Sequence, residues 1–151
     1  MKLIQLIIAI SLFSFLSHTY AVEGLIVHQS AFNPKQTMDK FETLAKQKGL
    51  NIFARINHSA GAQKIGKQLP ATELLIFGNP KGGTPLMECA QTAGIDLPLK
   101  VLVWQDKDNK VWLGYNDMTF IANRHNIKEC PAINKLQQAL AGLVKQAITT
   151  Q

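Results

Sequence analysis

The sequence predicts an α+β domain: a largely antiparallel sheet with helices packed on one face. Three observations predict it. Strand-period and helix-period segments are mixed along the chain. Two late apolar runs, "LPLKVLVWQ" and "VWLGYN", flank the charged tip "DKDNK", which is a hairpin signal. The hairpin also breaks the strict alternation that a parallel sheet would need.

The elements follow in order. Residues 24–29, "GLIVHQ", read as a first strand. "NPKQTMDKFETLAKQKGL" reads as a helix: Asn33 can cap it, Pro34 suits its first position, and Met38, Phe41, Leu44 and Ala45 recur at helical spacing. Gly49 supplies the stop. "NIFARINH" reads as a strand with Ile52, Ala54, Ile56 and His58 on one face and Asn51, Phe53, Arg55 and Asn57 on the other. "SAGAQKIGKQL" fits a short helix or a turn. "TELLIFG" is a third strand and "NPKGG" a loop, after which Thr84 caps "PLMECAQTA" and Gly94 ends it. In the hairpin, the first strand is apolar on almost both faces, which places it centrally in the sheet. Asp117 can cap "MTFIANRHN", and Pro131 opens a long helix with Ile133, Leu136, Leu140, Leu143 and Ala147 in one stripe.

The chain has 151 residues, the size of one domain. Residues 1–21 read as a secretory signal peptide: Lys2 is a short positive region, Leu3 to Leu16 is mostly apolar, and Thr19-Tyr20-Ala21 is a small-x-small cleavage pattern. An uncleaved anchor is the alternative, although the apolar run falls short of the ~18 residues of a usual membrane span. The single domain is then residues 22–151, and the expected location is periplasmic or secreted, with no membrane contact after cleavage. The net charge is +6, one less once Lys2 is removed. The basic residues are spread, with no stripe and no aromatic-basic platform, so nucleic-acid binding is not expected. Repeats, low-complexity tracts and an interdomain linker are absent from the sequence.

The chain has two cysteines, Cys89 and Cys130. An exported protein permits them to bridge, and they are not a CxxC pair. Cys89 also falls on the apolar stripe of a predicted helix, which suits a plain buried thiol. The sequence leaves both readings open, because geometry decides between them.

Four residues could carry chemistry. His58 stands where an apolar strand face runs into small residues, at the rim of the core. His125 follows Met118, Ile121 and Ala122 at helical spacing. The two imidazoles could converge on one pocket and there hydrogen-bond a ligand, bind a metal ion or heme iron, or move a proton. Either one alone reads first as a core-edge histidine bonded to backbone. Lys100 interrupts a central strand, where an ammonium is costly without a partner, so it either binds an anion or carbonyl or reaches to water from the strand end. Tyr115 could present its hydroxyl nearby or simply pack. "GNPKGGTP" lacks the GK[ST] ending of a nucleotide-binding P-loop. Zincin and serine-hydrolase signatures are also missing, and two histidines are too few to define a metal site.

Together, "FARINHSAGA", "ELLIFGNPKGGTPLM", "DLPLKVLVWQD" and "VWLGYND…RH" resemble the family known as domain of unknown function 302. The resemblance runs from about Phe53 to His125. Met118 departs from it, standing where the family often has proline. The resemblance implies an α+β fold with a curved antiparallel sheet, often in a homodimer, and carries over His58, Lys100, Tyr115 and His125 as motif positions. It implies no reaction. The leading expectation is an exported module binding a small ligand, with heme or a metal ion among the candidates, in a pocket involving His58. The alternatives are an enzyme with His58 as acid or base and Lys100 stabilising negative charge, and a partner-binding domain.

Overall fold

The computed structural model describes residues 22–150. The expected signal segment, residues 1–21, lies outside the described residues. The sheet has five antiparallel strands: β1 (Leu25–Gln29), β2 (Asn51–Asn57), β3 (Thr72–Gly78), β4 (Leu99–Gln105) and β5 (Val111–Asn116), in the order β1-β5-β4-β3-β2. Five α-helices join them: α1 (Pro34–Gln47), α2 (His58–Lys64), α3 (Pro80–Cys89), α4 (Met118–Arg124) and α5 (Pro131–Ile148), with a 3-10 turn at Gln91–Ile95. This is the expected fold class.

Local chemistry explains most boundaries. Asn33 accepts a hydrogen bond from the Gln36 amide and Pro34 opens α1. Gly49, at φ 73°, closes α1 in the left-handed conformation that a side chain disfavours. The Asp117 carboxylate accepts from the Thr119 amide and starts α4. Pro131 opens α5 without a side-chain cap at Cys130.

One sheet face is the core. Leu75, Phe77, Val101, Val103, Leu113 and Tyr115 point from it into Met38 and Phe41 of α1, Met118 and Ile121 of α4, and Leu140 and Val144 of α5. The other face carries Leu74, Ile76, Leu102, Trp104 and Trp112, all half-buried, without helical cover of that kind. Gly114 makes room for the indole there: a Cβ on it would meet the Trp104 ring at 3.0 Å, so the ring would have to give by a few tenths of an ångström.

Three expectations change. The register of β2 shifts between Ile52 and Ala54, so Ile52 pairs with Phe77 on the core face while Ala54 and Ile56 pair with Ile76 and Leu74 on the open face. The unbroken alternation from Ile52 to His58 is therefore corrected by a bulge at Phe53. His58 is the first residue of α2, capped by Asn57, and not the last of the strand. The "NPKGG" loop is the first turn of α3: the Asn79 carboxamide accepts from the Gly82 amide and Pro80 takes the first helical position, so the helix starts four residues before Thr84.

Arg55 ties β2 to α1 and β3. Its guanidinium reaches Asp39 at 2.6 Å, Glu42 at 3.1 Å and Glu73 at 2.6 Å. Hydrogen bonds from Lys35 and Arg55 hold the Asp39 carboxyl below its ordinary pKa, and one from Lys46, with Arg55 adding to it, does the same for Glu42.

Candidate functional site

The bulge, the early start of α3 and the chain's turn into β4 all fall at one end of the sheet. They line an open cavity of about 410 Å³. Leu50 and Phe53 come from the start of β2, and Gly78 from the end of β3. Asn79, Pro80, Gly82, Gly83, Thr84 and Met87 come from α3 and its cap. Gly94, Leu97, Pro98 and Leu99 lead into β4, and Leu136 closes the wall from α5. The Leu97–Pro98 bond is cis.

The lining is apolar apart from two side chains. Asn79 is already engaged: its carboxamide accepts from Gly82 and donates to the Gly49 carbonyl at 3.3 Å. The Thr84 hydroxyl makes no hydrogen bond among the described residues and is exposed at the wall. No histidine lines the cavity, so the wall offers heme iron no imidazole. Among the described residues, no group of three or more His, Cys, Asp or Glu side chains is placed to hold a metal ion.

The residues singled out from sequence separate into three places. His58 is exposed at the far end of β2, about five residues or roughly 17 Å along the strand from Phe53. Its side chain makes no hydrogen bond among the described residues. Tyr115 is 3% exposed on the core face, its ring stacked with His28 at 6.1 Å between centroids, and burial pushes its hydroxyl pKa up.

Lys100 and His125 are brought together, through Asp96. His125 Nε2 lies 2.6 Å from Asp96 Oδ2, and Nδ1 lies 2.9 Å from the Thr92 hydroxyl. Arg124 donates to the other Asp96 oxygen at 2.9 Å. Lys100 Nζ donates to the carbonyls of Asp96 and Pro98, each at 2.9 Å, and burial lowers its pKa against the pull of the Asp96 charge. With Nε2–H given to Asp96, a neutral His125 ring accepts from Thr92 through Nδ1. Both nitrogens are thus engaged, and the His125 side chain is 7% exposed. The cluster fastens α4 to the chain entering β4. The expected convergence of His58 and His125 does not occur, because β2 ends and β4 begins at opposite ends of the sheet.

Asp96, Thr92 and the cavity wall were not singled out from sequence. Asp96 and Thr92 belong to no apolar period. The glycines at 78, 82 and 83 were the available signal, since small residues around a turn leave room, but that stretch read as a turn alone.

Cys89 and Cys130 form a disulfide, with Cα atoms 6.1 Å apart, joining the end of α3 to the start of α5. Geometry thus selects the bridge over the buried thiol.

Comparison with known proteins gives three findings. A family model described as "Domain of unknown function DUF302" matches residues 26–143. The chain is 44% identical over 104 residues to two proteins named fluoride-specific ion channel FluC 1, from Brucella suis biovar 1 (strain 1330) and Brucella abortus biovar 1 (strain 9-941). Those matches take in 69% of this chain but 41% and 38% of the relatives, so the chain spans about two-fifths of their length. The crystal structure of an uncharacterized conserved protein DUF302 from Bacillus stearothermophilus shares the fold, with a TM-score of 0.68 at 16% identity over 84% of this chain and 97% of that one.

Proposed function

The chain belongs to the DUF302 family, and on that premise we propose that it is an exported binding module that holds a compact apolar molecule in the cavity between α3 and the end of the sheet. The carrying observation is the wall itself. A volume of about 410 Å³ lies within the usual range for small-molecule sites. Leucine, proline, methionine and phenylalanine line it, and the Thr84 hydroxyl can orient a single polar atom of the ligand. Export is supported by the pattern of residues 1–21 and by the Cys89–Cys130 bridge, which suits an oxidising compartment.

The relatives named as fluoride channels add a setting. No described helix here is long and apolar enough to cross a membrane. The shared stretch is a minority of those relatives, so in them the module works joined to further sequence, which fits a role beside a membrane. The acid–base reading draws no support from the geometry, which holds His58 and Lys100 at opposite ends of the sheet.

Native mass spectrometry of the protein purified from the exported fraction tests the proposal. The wild type is expected to carry a small-molecule mass. Thr84→Trp, which puts an indole in the wall, loses it, and His58→Ala keeps it. A mass retained by Thr84→Trp, a mass lost from His58→Ala, or an empty wild type contradicts the reading.

The open sheet face favours one partner, a second copy of this chain. Trp104, Trp112, Leu74, Ile76 and Leu102 form an apolar patch; at its edges Lys100 turns its ammonium to backbone carbonyls and the Asp106 carboxylate accepts from Trp112 Nε1 at 2.7 Å. Two copies that meet there would bury this apolar surface against each other. Sedimentation velocity at tens of micromolar is expected to give a dimer that Trp104→Glu converts to monomer. A monomeric wild type at every concentration contradicts it.

A further inference from the structure

We infer that the Cys89–Cys130 bridge is a thiol-exchange site and not only a staple. Four observations converge on it. Cys89 ends α3 and is exposed, whereas Cys130 is half-buried. Cys130 occupies the N-cap position of the 18-residue α5, yet makes no side-chain cap hydrogen bond. A second cavity, of about 380 Å³, opens on both cysteines. Its wall includes the ammonium side chains of Lys81 and Lys135 and one carboxylate, Glu88.

The two sulfurs are therefore unequal. An incoming thiolate attacks the sulfur of Cys89, the more exposed residue of the two. It forms a mixed disulfide with Cys89, the bond between the two cysteine sulfurs breaks, and the electron pair departs on Cys130 as a thiolate. That thiolate forms at the start of a long helix, where free amides and the helix dipole favour negative charge and lower a thiol's pKa. It also sits at the position from which a side chain can cap the Ala132 amide; Pro131 has no N–H, and the Ile133 amide already donates to the Cys130 carbonyl at 3.1 Å. A lower pKa makes Cys130 the better leaving group.

The co-reactant is an exposed dithiol. Its second thiolate attacks its own sulfur in the mixed disulfide, releasing the Cys89 thiolate. The dithiol leaves as a disulfide, having given up two electrons and two protons, and the bridge is left reduced. The cavity beside the sulfurs gives such a partner room to approach, and the two lysines favour its thiolate form.

The test uses the folded, full mature protein. Dithiothreitol is expected to reduce the bridge without denaturant, at a rate proportional to its concentration. Glutathione is expected to leave its mixed-disulfide adduct on Cys89. Alkylation of the reduced protein by iodoacetamide, read peptide by peptide across pH, is expected to give Cys130 a midpoint about one pH unit or more below the free-cysteine value of about 8.5. Reduction only after unfolding, an adduct on Cys130, or a Cys130 midpoint at or above about 8.5 overturns the inference.

Discussion

Phe77→Ala lowers the unfolding free energy by about 4 kcal/mol, read as a shift of the urea midpoint at unchanged slope. Phe77 has no solvent exposure and meets the Phe41 ring edge-on, with centroids 5.1 Å apart and planes at 65°. It pairs across the sheet with Ile52 on one side and Leu99 on the other, so three strands and α1 meet on its ring. Truncation removes the buried phenyl group and leaves a hole that Met38 and Leu75, held by their own packing, fill only in part. The lost edge-on contact adds about 1 kcal/mol within that total. Phe53→Ala, at a residue 58% exposed, is expected to cost less than about 1 kcal/mol. Equal losses from the two substitutions contradict this placement of the core.

Asp96→Ala costs about 2–3 kcal/mol, because it strips charged hydrogen bonds from groups that have no easy replacement. His125 loses its 2.6 Å partner while its side chain stays 7% exposed, and Arg124 loses its 2.9 Å partner. Water reaches the guanidinium freely and the imidazole poorly, so most of the cost falls on His125. Asp96→Asn keeps the shape and a neutral acceptor and is expected to retain about half of the loss. The measurement is again equilibrium unfolding, paired with retention of the bound mass, since the cluster fastens α4 and lies outside the cavity wall. A change below about 0.5 kcal/mol together with loss of the bound mass would make Asp96 a ligand contact instead.

The fold was legible where a single residue decides a boundary. Asn33, Pro34, Gly49, Asp117 and Pro131 mark helix ends by local chemistry, and the charged tip at residues 106–110 marks the hairpin. Period-2 patterning failed at Phe53, because a bulge inserts one residue without leaving a mark in the apolar pattern, and Ile52 changes face. Asn79-Pro80 is a cap and first position of the same kind as Asn33-Pro34, but the two glycines that follow read as a loop. The site was less legible for a topological reason. Its wall draws on residues from Leu50 to Leu136, and which strand ends share an end of the sheet follows from the strand order. His58 and His125 each looked like a core-edge imidazole. Only the folded structure shows that one is exposed at the start of α2 and the other fastened to Asp96.

The most direct test of the apolar cavity is isotope-filtered NOE spectroscopy on labelled protein carrying its co-purified molecule. Contacts from ligand protons to the Met87 methyl and to the methyls of Leu97 and Leu99 are the predicted result. Contacts to the His58 ring, or to Trp104 and Trp112 on the open face, would contradict it.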